Sequence, residues 1–326
     1  MLGFAQLFAS RLVKAAAILI AIVVMNFFLV HAAPGDPAMV MAGEAGAADE
    51  KFVAQLREQF GLDRPLYEQL GTYVAKVVQG DLGFSYRQQR PVWDILAERL
   101  PATLVLTLTA FLLALAAGVA LGTLAAIAVG TWADSAITVI ALLAYATPIY
   151  WIGLMLSLLF SIQLGWLPAF GYETIGAGYT GLAHVADVAV HLILPVITLA
   201  LFYMASYARL TRASMLEVRG LDFVKTAKAK GLTQSRIVTR HVLRNAILPV
   251  ITVAGIQAGQ LVGGSILIET VFAWPGIGRL AFEAVLQRDY QVLLGIFLVT
   301  SIMVILFNIL TDILYGLVDP RIQVSQ

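Results

Sequence analysis

The 326-residue chain contains no cysteine, which excludes disulfides and thiol chemistry and leaves no mark of the redox compartment. Charge is also scarce. Asp, Glu, Lys and Arg make up 13% of the residues, where soluble domains carry about 25%. The net charge of +1 offers no basic excess for nucleic acid. No Lys or Arg occurs between Arg99 and Arg209. The signatures of catalysis are missing too. Without a Gly-Lys dipeptide there is no phosphate-cradling Walker loop, and neither HExxH nor GxSxG occurs. No catalytic residue is assigned, and no cofactor is expected in this chain.

What fills the chain instead is apolar: 60% of residues are hydrophobic and the mean hydropathy is +0.86. An all-α integral membrane protein in contact with lipid is expected. Six apolar runs can be drawn: 15–30, 101–129, 136–160, 190–208, 247–268 and 291–315. The first follows Arg11 and Lys14 and fits two readings, a retained span or a cleaved signal peptide ending near Ala32 and Ala33. Residues 38–99 have mixed charge and hold two short amphipathic helices split by Gly61-Leu62-Asp63-Arg64-Pro65. The expected division is 1–31 as first span, 32–99 as a small external subdomain, and 100–326 as a five-helix core with a cytoplasmic loop at 209–246. Gly118 and Gly122 form a GxxxG pair that permits close helix approach, and Pro148 and Pro195 mark kinks. Taken singly, such residues are simply common in membrane helices.

The most informative stretch is the polar island from Arg209 to Pro249. It carries nine basic residues (Arg209, Arg212, Arg219, Lys225, Lys228, Lys230, Arg236, Arg240 and Arg244) against Glu217 and Asp222. Basic loops stay on the cytoplasmic side because translocation disfavours Lys and Arg. The topology is then both termini inside and 38–99 outside. Within the island, Gly220 and Gly231 bracket a short helix with Asp222 in its first turn and Lys228 and Lys230 in its last. Phe223, Val224 and Ala227 form its apolar stripe, and Gly231 reads as a left-handed cap. Thr233 or Ser235 then caps a second helix. A solvated loop that only sets topology explains the charge but not this bracketed helix.

These residues resemble a family. AKAKGL followed by HVLRNAILP is similar to the coupling motif of ATP-binding-cassette importer permeases, nearest the dipeptide/oligopeptide branch with its nickel and glutathione relatives. The wider motif begins Glu-Ala-Ala, where Lys225-Thr226-Ala227 stands here. Arg244 stands where the wider motif has Pro, with Pro249 five residues on. Pro34-Gly35-Asp36-Pro37, ETVFAWPGIG from Glu269 and Asp319-Pro320-Arg321 extend the likeness along nearly the whole chain.

The resemblance implies a six-helix permease fold in a bacterial inner membrane, moving peptides delivered by an extracytoplasmic solute-binding protein. It implies a second homologous permease subunit and two ATPase subunits, which bind the ATP and Mg. It implies that Asp222, Phe223, Lys225, Ala227, Lys228, Gly231 and Leu232 meet the ATPase.

Two other classes compete. An ion-coupled carrier places ionisable residues at mid-membrane. Here the polar residues in spans are Asn26, Gln257, Gln260, Asn308 and Asp312, with Glu269 and Asp312 near span ends. A membrane-embedded hydrolase lacks any nucleophile–base motif. His184, Asp187 and His191 share a helical face at i, i+3 and i+7 and are a weak metal candidate, against a plain interfacial polar stripe. Topology is testable because the chain is cysteine-free. In intact cells, a Lys228→Cys thiol should resist an impermeant maleimide while a Glu58→Cys thiol reacts. Labelling at 228 from outside would refute the arrangement.

Overall fold

The computed structural model describes residues 2–32, 39, 49–60 and 63–318. The PGDP turn at 34–37 and Asp319-Pro320-Arg321 lie outside them. The secondary structure is overwhelmingly helical. In chain order the helices are α1 (Leu2–Ala32), α2 (Glu50–Phe60), α3 (Leu66–Val78), α4 (Val92–Ile127), α5 (Trp132–Ala146), α6 (Ile149–Ser157), α7 (Leu182–Arg219), α8 (Asp222–Ala229), α9 (Gln234–Arg236), α10 (Arg244–Gly264), α11 (Ile266–Val271), α12 (Ile277–Gln287) and α13 (Tyr290–Val318). The described strands are β1 (Phe84–Ser85) and β2 (Arg90–Pro91), an antiparallel pair.

Among the described residues four helical stretches are long and apolar enough to cross a membrane: Val92–Ile127, Leu182–Arg219, Gln234–Ala258 and Tyr290–Ile309. Trp132–Ala146 and Ile149–Gln163 pass as a pair, bent by 104°. The bend falls at Pro148, as its fixed φ and missing N–H predict. Pro195, by contrast, stays inside the continuous α7. Val13–Leu29 is a shorter apolar stretch within α1. Hydroxyls in these helices turn back onto their own ladder. Thr198 donates to Leu194 O, Thr252 to Leu248 O and Thr311 to Phe307 O, at 2.7–3.0 Å. In a medium without water this is the nearest available acceptor.

The chain divides into two compact units, one of residues 1–101 with 279–305 and the other of 102–278 with 306–326. In the first, Asn26 of α1 donates to Leu294 O (3.4 Å), and His31 Nε2 pairs with Gln69 Oε1 of α3 (3.0 Å). The β1–β2 hairpin is tied down at Ser85, whose Oγ donates to Asp289 Oδ2 (2.6 Å), both residues being fully buried.

In the second unit the core gathers Leu106, Leu194, Leu199, Tyr207, Ile268, Phe272 and Trp274. A close backbone approach joins α4 and α7. A Cβ on Gly118 would lie 2.6 Å from Tyr207 Cβ. One on Gly122 would overlap Ala208 O and lie 2.6 Å from Thr211 Cβ. Two turns of α4 thus lie directly against the α7 backbone, the approach that small residues permit. Gly122→Ala should therefore destabilise the protein by about 1–3 kcal/mol through overpacking. Gly71→Ala, in open space on α3, should be neutral or slightly stabilising. Thermal midpoints in detergent check both. Equal midpoints for the two variants would remove the close contact from the account.

Candidate functional site: the basic island and its supports

The island begins as helix. α7 runs on through Arg209 and Arg212 to Arg219, so these three basic residues sit on a span extension and not in a loop. Each meets the same chain. The Arg209 guanidinium lies 4.7 Å from the centre of the Tyr145 ring, and Arg219 Nη1 donates to Ala126 O (2.7 Å). Arg212 forks onto Asp134, Nε to Oδ1 at 2.6 Å and Nη2 to Oδ2 at 2.8 Å.

After Gly220 the chain enters α8 from an extended Leu221. Asp222 stands in the first turn and accepts from Lys225 Nζ (2.9 Å). The exposed pair is worth a few tenths of a kcal/mol at most, about 0.3–0.5. The expected apolar stripe divides. Val224 and Ala227 are buried against Ala126, Met215, Ile237, Val238, Val242 and Ala246, with Leu232 half-buried beside them. Phe223 faces outward with 42% of its surface exposed, next to exposed Leu221 at 46%. Lys225 and Lys228 are exposed as well. α8 therefore clips onto the membrane helices with one face and leaves Phe223, with Leu221 just before the helix, exposed on the other.

Gly231 ends this element at φ +75°. Its N–H donates to Lys228 O (2.9 Å), and Leu232 N reaches back to Ala227 O (3.4 Å), closing a helix-ending turn. Nothing lies within 4 Å of a Cβ built there, so the need for glycine is a backbone need. Thr233 occupies the N-cap position of α9, but its side chain makes no capping bond. Ser235 lies inside α9, where its carbonyl accepts from Thr239 Oγ1 (2.9 Å). The π-helical turns at Ile237–Leu243 that join α9 to α10 had no visible sequence cue.

His184, Asp187 and His191, the weak metal candidates, each meet another group. His184 Nδ1 turns to Glu173 Oε2 (3.1 Å), while Asp187 accepts from Thr174 N and Oγ1 at 2.7 Å each. His191 Nδ1 lies 2.9 Å from Asp187 O. Among the described residues no cluster of three or more His, Asp or Glu could hold a metal ion. The helical face is real, but Thr174 and Glu173, brought in by the loop before α7, claim the groups. Their work is to tie that loop down.

Two polar sites were missed. Asp134 reads as a residue of a short turn yet is buried. Glu269 reads as a span-end residue but is fully buried. Its Oε1 accepts from Thr103 Oγ1 (2.8 Å) and Ser265 Oγ (3.0 Å), and Thr103 Oγ1 also accepts from Ile277 N (2.7 Å). Trp274 Nε1 donates to Ala102 O (2.8 Å). The carboxylate lies where a Cβ on Gly276 would stand, so Gly276 in ETVFAWPGIG was the available sequence cue.

Long apolar helices with a short helix packed against them describe a multi-pass membrane protein. The chain belongs to the family of binding-protein-dependent transport system inner membrane components, whose model matches residues 118–324. The N-terminal model of the same transport components matches residues 4–107. It is 42% identical over 323 residues to the dipeptide transport system permease protein DppB of Escherichia coli, covering 93% of this chain and 94% of that one. The DppB of Alkalihalophilus pseudofirmus is 40% identical over 338 residues, covering 99% and 100%. The glutathione transport system permease protein GsiC of Escherichia coli is 42% identical over 300 residues, covering 92% and 93%.

Among solved structures, the MetNI methionine transporter in inward-facing conformations is similar at TM-score 0.56 and 18% identity, covering 69% of this chain and 96% of that one. That likeness is one of fold. The chain is a multi-pass inner-membrane permease subunit of an ATP-binding-cassette importer.

Gly231→Val moves a branched residue into a left-handed conformation at a cost of about 1–2 kcal/mol. The spans should still insert, while ATPase subunits are lost on purification or transport fails. Phe223→Ala should act in the same direction more mildly, and Arg240→Ala, on the following π-turns, should matter least. ATPase co-purification and uptake at matched membrane levels decide this. Full uptake by Gly231→Val would reduce the island to a topology signal.

Proposed function

We propose that this permease carries di- or oligopeptides handed over by an extracytoplasmic solute-binding protein. The observation that carries the reading is 42% identity along 93% of the chain to a dipeptide permease. A second homologous permease completes the pathway, and two ABC ATPase subunits bind and hydrolyse ATP with Mg. Six spans follow if Val13–Leu29 crosses, the bent pair counts once, and the four long stretches each cross once. Both termini and 209–246 then lie in the cytoplasm, 32–99 lies outside as the small subdomain, and 100–326 forms the core. Asp222, Phe223, Lys225, Ala227, Lys228, Gly231 and Leu232 are the ATPase-coupling residues. Val224 joins Ala227 in holding α8 to the core, while Leu221 joins Phe223 in entering an apolar recess of the partner. This division of faces is the feature a docking helix needs, because a helix held by only one face can pass on a push.

Glutathione is the competing cargo, on 42% identity to a glutathione permease; nickel, moved by a related branch, is the third. The deciding experiment reconstitutes the complex with its binding protein in proteoliposomes. Uptake of a labelled dipeptide should be ATP-dependent and be abolished without the binding protein. Excess glutathione should compete weakly. Displacement of the dipeptide by glutathione at equal concentration, or uptake of nickel alone, would overturn the peptide assignment.

A further inference from the structure

We propose that Arg212 and Asp134 are positioning residues for coupling: their ion pair makes α7, the α4–α5 turn and the short helix α8 move as one body. The inference deepens the coupling reading above and rests on it. α7 is continuous from Leu182 to Arg219, so it joins the loop before it directly to the segment that leads into α8. Arg212 sits two turns before its end. A single-point contact there would leave α7 free to rotate against its neighbours. A two-pronged guanidinium–carboxylate pair fixes direction as well as distance.

Asp134 is 6% exposed and its second oxygen also accepts from Gly130 N (3.1 Å). The pair is therefore welded to the turn that joins α4 and α5. Three further contacts surround it. The α4 and α7 backbones meet at Gly122, where a Cβ would lie 3.1 Å from Arg212 N itself. Arg219 Nη1 holds Ala126 O, and Ala126 packs in the same cluster as Val224 and Ala227 of α8. Sliding of α7 past α4 is blocked at Gly122, and rotation is blocked at Arg212. Displacement of α8 passes on one side into a joint motion of α7, the end of α4 and α5, and on the other into Ile237, Val238 and Val242, which pack against it. That body ends at Pro148, where α5 meets α6 at the 104° bend.

The test compares wild type with Arg212→Lys, Asp134→Asn, Arg212→Asp, Asp134→Arg and the exchange Arg212→Asp/Asp134→Arg. Each is assembled with its ATPases and binding protein in proteoliposomes at matched protein. Peptide carried per ATP hydrolysed is the readout. Arg212→Lys keeps the charge but loses the fork, and Asp134→Asn keeps the shape but loses the charge. Both should assemble and lower peptide carried per ATP by about tenfold. The single reversals should do the same or worse, and the exchange should recover to within about threefold of wild type.

A pair that only holds the fold together would lower the amount of assembled complex and leave the ratio unchanged in what assembles. That result overturns the proposal, as does an exchange no better than the single reversals. If the wild-type complex itself shows no ATP-driven uptake, the coupling reading fails first. If wild type couples and the conservative variants match it, only the strut fails.

Discussion

The close approach of α4 and α7 is the constraint on which the larger unit depends. It exists because Gly118 and Gly122 present no side chain where Tyr207, Ala208 and Thr211 pass. Apolar burial gives little drive for helices to associate in lipid, since the lipid tails are as apolar as the helices. Contact must come from shape and from polar bonds made at the right level. The two glycines supply the shape. Arg212–Asp134 and Arg219–Ala126 supply the bonds at the end of the same interface.

Polar groups elsewhere in the core follow the same logic. An unpaired carboxylate or indole N–H is costly where water cannot reach it. Glu269 is surrounded by Thr103 and Ser265 hydroxyls, and Trp274 finds Ala102 O, both at the break between α11 and α12. That break thus has internal partners for the groups a broken helix releases. The Gly276 backbone is part of it because no larger residue leaves room for the carboxylate. The ETVFAWPGIG string is a packing device as much as a motif.

The division of α8 into a buried and an exposed side gives the basic island its meaning. Charge alone would set topology. Val224 and Ala227 are seated in the core, with Phe223 and Leu221 left outside. Gly231 then turns the chain back toward α9 and α10 without leaving strain in the helix.

Class, family and the island were readable from the chain because they depend on local chemistry. Apolar runs report the membrane, clustered Lys and Arg report a side, and Gly231 after a helical stripe reports a cap. The bend at Pro148 was legible for the same reason, since a proline acts on its own backbone. The outcome at Pro195 was not local: α7 continues through it. Partners far apart in sequence were equally invisible. Asp134 pairs with Arg212 across 78 residues and Thr103 with Glu269 across 166. His184 and Asp187 kept their helical spacing but were claimed by Glu173 and Thr174, and His191 turned onto Asp187 O. Sequence periodicity states which side chains share a face. Which group reaches that face from another element is decided only when the helices pack, because a hydrogen bond depends on distances of a few tenths of an ångström that no spacing rule carries.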